Sequence, residues 1–488
     1  MATAPAVVSE MKTAGSDADV RARIRQAFER QRANRWALAQ TTADQRIAKL
    51  VRLRKAIVER QDELRRVLHA DYRKPAAEAD LTELQPVLGE IAHTIAHLEK
   101  WMTPAKVPTP MHLFGTKSSI RYEPLGCVLL LAPWNYPFNL LMCPLVAAIS
   151  AGNTVMLRPS DKVPQTSHFM ARLLADVFPD EEVVSFVGPS SIANAMLELP
   201  FDHIFFTGSE RVGKQVMAAA AKHLASVTLE LGGQSPAIVD ETADVESAAQ
   251  RIVWGKFLNG GQTCVAPNHV FVHASRVDAF VAAAKRHVAR QYGETEAERK
   301  ASPDLCRIVD PPSLTRLVDA IRRSVDAGAK VEIGGDHDAS ERYLAPTILS
   351  GVRDDHAVME QELFGPILPV IAYREVDEVL ASIRKRGKPL AMYIFSESAA
   401  AVRRLVAGTS AGGTVVNNCI LHLANPDLPF GGVGASGQGN YHGWFGFRTF
   451  SHERAVMEQG RPATSELFFP PYRPRVMKAI AALTHWLK

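Results

Sequence analysis

The chain has 488 residues, 47% of them hydrophobic and 22% charged, the balance of a soluble globular protein with room for two or three cores. Its 56 basic and 52 acidic residues leave a formal net charge of only +4, which does not suggest the concentrated basic face of a nucleic-acid partner. Five cysteines, at 127, 143, 264, 306 and 419, include no CxxC pair, so neither a metal site nor a disulfide framework is expected, and a cytoplasmic setting fits.

Residues 1–17 are small and polar and read as an arm; Met1–Val20 lacks the apolar stretch of a secretory signal. From 18 to 103 the pattern is helical and charged, with Ile47, Leu50, Val51, Leu53, Ile57 and Leu64 near helical spacing. Glu and Asp interleave with the Arg and Lys there, which predicts a solvated helix face. Pro124–Leu157 runs 34 residues without a charge, longer than the ~20 that span a bilayer. Pro133, Pro137 and Pro144 with Asn135, Asn139 and Asn153 interrupt it, so it reads as strand, turn, short buried helix, strand.

β-branched and apolar runs follow at 127–132, 154–157, 183–187, 203–207, 227–231 and 236–239, with helix-length segments at 164–178, 190–198 and 210–224. A second series has strands near 269–273, 367–373, 390–395 and 413–417 and helices near 244–257, 276–291, 313–327, 375–385 and 397–407. Strands alternating with helices predict an α/β fold of two parallel-sheet domains, with a boundary near 231–235. At the tail, Val476, Ile480, Leu483 and Leu487 make one stripe of an amphipathic helix over 475–488. At about 21 Å it is too short to cross a bilayer. It suits docking on the protein or lying on a membrane surface.

Several motifs carry chemistry, each beside a plainer reading. In Leu258–Pro267 a cysteine, Cys264, follows Gly260-Gly261, a context in which backbone approaches a ligand closely. A lone cysteine is more often simply buried. Phe205-Phe206-Thr207-Gly208-Ser209, then Gly213, runs from a strand to a helix N-terminus that could take phosphate or could be an ordinary Ser-capped turn. Gly432–Gly437 matches GxGxxG formally, but Pro429-Phe430 precedes it and aromatics follow, so it reads as a glycine-rich loop. Glu230, before Leu231-Gly232-Gly233, ends an apolar strand, where burial would suit a general base or a salt bridge would hold it. Asn135, in Pro133-Trp134-Asn135-Tyr136-Pro137, could stabilise an oxyanion or bond to its own turn. Glu360–Pro366 offers an acid and an aromatic before a strand.

Taken together and in this order, these motifs resemble the aldehyde dehydrogenase superfamily over roughly residues 40–455, with Leu428–Gly434, Tyr441-His442-Gly443 and Thr449–His452 similar to its class 3 branch of fatty and aromatic aldehyde dehydrogenases, which includes bacterial coniferyl aldehyde dehydrogenases. The resemblance implies a cofactor domain at 1–112 and 128–230, a catalytic domain at 231–417, an oligomerisation element at 113–127 and 418–455, and a tail from 456. A hairpin near 113–127 and a strand near 445–455 would pair across a homodimer. It makes Cys264 the nucleophile, Asn135 the oxyanion donor and Glu230 the base that hydrolyses the thioester. It places NAD or NADP along Trp134, Arg158, Ser160, Gly188, Thr207, Gly208, Ser209, Gly213, Leu231, Gly232, Glu362 and Phe364, and no metal. Arg158 stands where the family usually has Lys and could take a 2′-phosphate, while Asp161 would repel one; the balance leans to NAD.

The expected substrate is a hydrophobic aliphatic or aromatic aldehyde, with Tyr136, Trp254, Phe257, Tyr441 and Trp444 near its mouth. Acyl transfer to coenzyme A is the alternative outcome, against which Glu230 argues. A cofactor-binding protein that keeps the fold without turnover is the alternative of a different class.

Overall fold

The strand Cys127–Leu131 is buried at every position, because it lies inside a sheet covered on both faces and so carries a continuous rather than an alternating apolar run. The computed structural model describes residues 17–110, 113–461, 463, 466 and 469–486. The arm expected at the N-terminus lies outside these up to residue 16, and Asp17 already belongs to a helix, Asp17–Ala39.

Around the central strand a six-stranded sheet forms in the order 437–438, 226–230, 203–207, 127–131, 154–158, 183–185. All its pairings are parallel except that of the short edge strand Gly437–Gln438. A seven-stranded sheet follows in the order 330–333, 347–350, 367–373, 269–273, 236–239, 391–395, 413–416. The sequence reading missed Lys330–Ile333 and Thr347–Ser350: each is four residues long, and the first is half exposed at the edge, so neither shows a clear apolar period. The charge-free run resolves as expected into strand, turn, the buried helix Asn139–Ala151 and strand. Among the described residues no helix is long and apolar enough to cross a membrane.

In the charged N-terminal region the apolar stripe is broken at Arg60 into two helices, Ala43–Glu59 and Gln61–Tyr72. Val51 proves exposed, off the buried face of Leu50, Leu53 and Ile57. A third, three-stranded antiparallel sheet joins Ala105–Val107, Thr116–Pro124 and Ser451–Gln459. It corrects three expectations. The hairpin begins at 105 rather than near 113. The stretch 445–455 is split, because Gly443–Thr449 is a helix and the strand runs on to Gln459. Finally, Ser451–Gln459 pairs with Thr116–Pro124 of its own chain at nine consecutive positions, where pairing across subunits was expected.

Candidate active site

In parallel sheets ligands gather at the carboxyl ends of the strands, and Thr207 and Glu230 end neighbouring strands in register with each other. Glu230 is 2% exposed and neither carboxylate oxygen has a hydrogen-bond partner. Burial pushes its pKa well above the ordinary carboxylate range. Thr207 Oγ1 is likewise buried and without a partner. The backbone around Glu230 is held from both sides: the Gly208 N–H donates to its carbonyl at 2.9 Å, and the Leu231 N–H donates to the Ser436 carbonyl at 3.0 Å. Here the Gly432–Gly437 loop finds its purpose. A Cβ at Gly432 would stand 2.0 Å from the Ser436 carbonyl oxygen and one at Gly437 2.1 Å from that of Leu229, so only glycine lets the loop close against the strand.

Ser209 caps the helix Glu210–Ala221 with extended backbone but no side-chain capping bond, so the first-turn N–H groups stay open to an anion. Gly213 lets that helix sit on Leu231, whose Cδ2 would be 2.9 Å from an added Cβ.

Cys264 follows the turn Leu258–Gly261, in which Asn259 and Gly260 take left-handed backbone at φ 55 and 60. Its partial burial pushes the thiol up to about 12, with the Glu362 and Glu230 carboxylates adding and the Cys264 and Val265 N–H groups opposing. The free thiol is therefore protonated at neutral pH and needs a positive charge or a base beside it to react. Asn135 is buried, and its Nδ2 donates to the Gln262 carbonyl at 3.1 Å rather than to its own turn. The Asn135 carbonyl accepts from Tyr72 Oη at 3.0 Å and Asn259 Nδ2 at 2.9 Å. One amide hydrogen of Asn135 is thus committed to the cysteine loop, leaving the second for a ligand.

Glu362 lies against Gly232, where a Cβ would meet its Oε2 at 2.1 Å. Burial raises its carboxyl to about 7, opposed by the Gly233 N–H, Lys256 and Arg316. Lys256, 1% exposed, is itself lowered to about 7 by burial, against the pull of Glu362. Phe364 holds a left-handed φ of 52, a conformation costly for an aromatic residue, and its ring meets Trp134 edge-on at 5.4 Å. A cavity of about 550 Å³ runs past Ser209, Gly232, Gly233, Glu362 and Ser436. Open helix N–H groups, an orphaned Thr207 hydroxyl and glycines pressed by a carboxylate suit a dinucleotide there.

Farther along the sheet, Arg158 donates to the Gly188 carbonyl at 2.9 Å and pairs with Asp161 at 2.9 Å. The Ser160 hydroxyl turns inward and accepts from the Lys162 N–H at 3.3 Å. Among the aromatics expected at the mouth, Phe257 is wholly buried against Tyr292 and lines nothing, since its helix turns it inward. Tyr441 is 1% exposed, and burial raises its phenol well above the ordinary range, with the Glu230, Cys143 and Cys264 charges adding. Sequence reasoning missed Lys256, Asn259 and Gln262, all within a few residues of Cys264; a lysine and two amides in an apolar stretch were the available signal.

An oxidoreductase acting on aldehydes is the class these features define. The chain belongs to the aldehyde dehydrogenase family, whose model matches residues 3–456. The enzymes of that family use NAD(P). The chain is 42% identical to 4,4′-diaponeurosporen-aldehyde dehydrogenase of Staphylococcus aureus, over 87% of this chain and 91% of that one. It is 39% identical to a probable coniferyl aldehyde dehydrogenase of Pseudomonas aeruginosa, over 93% and 95%. A solved structure described as the substrate-bound state of Staphylococcus aureus AldH superposes with a TM-score of 0.91 at 40% identity, covering 94% of this chain and 99% of that one.

Proposed function

We propose that the chain oxidises hydrophobic aldehydes to carboxylic acids through a covalent thioester on Cys264. The observation that carries this reading is a buried carboxylate, Glu230, with both oxygens unpartnered and its charge felt by the cysteine thiol. The thiol gives its proton to solvent water, Cys264 Sγ adds to the aldehyde carbon, and the carbonyl electrons move to oxygen. The free Asn135 amide hydrogen and the Cys264 N–H stabilise that oxyanion. NAD(P), when bound, supplies the hydride acceptor and a positive charge beside the thiol. Ser209, Gly213 and the Gly208 turn would hold its diphosphate, and Glu362, Phe364 and Trp134 its nicotinamide end. Glu230 then takes a proton from water as the water oxygen attacks the thioester; the acid leaves and Cys264 is regenerated.

Asp161 occupies Arg158, which removes the fork a 2′-phosphate would use and supports NAD over NADP. A homodimer in the cytoplasm is the expected assembly, with a catalytic domain at 231–417 and an oligomerisation element built on the sheet Ala105–Val107, Thr116–Pro124 and Ser451–Gln459. The two relatives named are described as a dehydrogenase of 4,4′-diaponeurosporen-aldehyde and a probable dehydrogenase of coniferyl aldehyde. Partly buried Trp254, Leu423 and Trp444 pack in the same core cluster as Cys264 and support an apolar substrate. The tail supports peripheral contact with an anionic membrane surface. Residues 460–488 hold five basic residues and one acidic, the whole of the chain's +4 excess. Phe469 and Tyr472 before the helix Pro474–Trp486, and Met477 within it, are more than half exposed.

The test is reduction of NAD and of NADP by hexanal, dodecanal, benzaldehyde and coniferaldehyde, with and without coenzyme A. Acid formation unaffected by coenzyme A supports the reading, and acyl-CoA as product overturns it in favour of acyl transfer. Cofactor binding without turnover of any aldehyde would mark a protein that keeps only the fold. For the tail, cosedimentation with vesicles of anionic lipid that survives truncation at 470 overturns the membrane contact.

A further inference from the structure

Beneath the site, the N-terminal helices bring together charged and phenolic side chains that the reaction above does not use. Lys74 and Glu83 are both wholly buried, with the ammonium 2.7 Å from Glu83 Oε1. The same ammonium lies 4.1 Å from the centre of the Tyr136 ring, a cation–π contact in a desolvated setting. The other oxygen of Glu83 accepts from the N–H groups of Phe138 at 3.1 Å and Asn139 at 2.9 Å. It thereby caps the helix Asn139–Ala151, which has no side-chain cap of its own. Glu83 and Tyr136 therefore both hold the C-terminal side of the turn that carries Asn135.

The cysteine loop is reached from the same cation. Glu78, whose carboxyl burial raises to about 7 against the pull of Lys74, accepts from the Asn259 N–H at 3.0 Å. Tyr136 Oη is hydrogen-bonded to Thr263 Oγ1, one residue before Cys264. Glu83 sits in a π-helical turn, Asp80–Leu84, the kind of widened turn found often at functional sites.

We infer that Lys74 is a positioning residue for aldehyde oxidation: one buried ammonium, paired with Glu83 and laid against Tyr136, fixes the Asn135 turn and the Cys264 loop in register. The inference rests on the roles proposed above for Asn135 and Cys264. A buried ion pair seldom adds stability over apolar residues of the same shape, and its best-attested use is to select one geometry. Here the geometry is the separation of nucleophile and oxyanion donor, where a displacement of about 1 Å costs on the order of 100-fold in rate.

The experiment uses the full chain with Lys74→Met, Lys74→Arg and Tyr136→Phe, reading kcat, KM for aldehyde, the NADH dissociation constant and the thermal midpoint. Lys74→Met is expected to lose kcat by about 100-fold with NADH affinity within about twofold of wild type, and Lys74→Arg to recover part of it. Tyr136→Phe keeps the ring over the ammonium but deletes the Thr263 link, and is expected to lose about tenfold in kcat with little change in midpoint. A folded Lys74→Met with wild-type kcat overturns the inference. So does a loss that tracks NADH affinity and midpoint together, which marks a purely structural role. If Lys74→Met does not fold, Tyr136→Phe decides alone, and an unchanged kcat is the negative answer. Cys264→Ala run in parallel reports on the covalent reading separately, because the Lys74 series is judged by its split between kcat and NADH binding.

Discussion

Glu83 and Glu230 are both carboxylates taken out of water, at 0% and 2% exposure, yet the protein treats them in opposite ways. Glu83 meets an ammonium and two backbone N–H groups, so both of its oxygens have partners. Glu230 has no partner for either oxygen. A satisfied buried charge behaves as scaffold, since nothing is left for it to bind or exchange. An unsatisfied one stores a desolvation cost that only a ligand, a water or a proton can relieve, and that is the condition of a reactive group. Saturation by local partners, more than burial, separates the two.

The sharpest way to break this contrast is at the nucleophile. Cys264→Ala should lower turnover by at least about 10⁴-fold while leaving NADH binding intact. Glu230→Gln comes next. Deacylation should slow by about 10³-fold, so that one equivalent of reduced cofactor per site appears quickly and turnover then stalls. The same substitution should raise the thermal midpoint by about 2 °C near pH 8 and leave it unchanged near pH 4. The sign follows from the raised pKa of the folded carboxyl. Below the unfolded value of about 4.3 the group is protonated in both states, and above it ionisation favours the unfolded chain, a cost the amide lacks. A midpoint that falls at both pH values would mean that Glu230 is tied down after all.

Glu83→Gln should do the reverse, destabilising by about 3 kcal/mol in urea unfolding because it breaks a buried pair. The smallest effect should be at the cofactor's far end. Asp161→Asn frees Arg158 and should improve the NADP-to-NAD ratio of kcat/KM by about threefold, since the pair is partly exposed.

The sequence made the residues proposed to react legible because their backbone settings are conspicuous: Cys264 after paired glycines, Glu230 before another pair, Asn135 between prolines. Parallel strands were legible for a related reason, as buried runs such as Cys127–Leu131 leave no polar alternation to confuse. What escaped was support. Lys74, Glu78 and Glu83 sit in a charged helical stretch that reads as a solvated face, and only folding turns Lys74 and Glu83 inward. Helical period reports which face is apolar and says nothing of a cation meant for the inside. The strand Ser451–Gln459 was shifted for a similar reason, because seven of its nine side chains are exposed or charged and its partner is over 300 residues away.

The glycine loop that closes against the Glu230 strand also bears on how this enzyme can be reshaped. A mutagenesis library that samples Gly432 or Gly437 will return mostly misfolded members, because the neighbouring carbonyls leave no room for a methyl group. Ala435, between them, is exposed and borders the cavity that runs past Ser209 and Glu362. Diversity placed there reaches that cavity through a frame that stays fixed on either side, so the loop offers one adjustable position between two that tolerate no change.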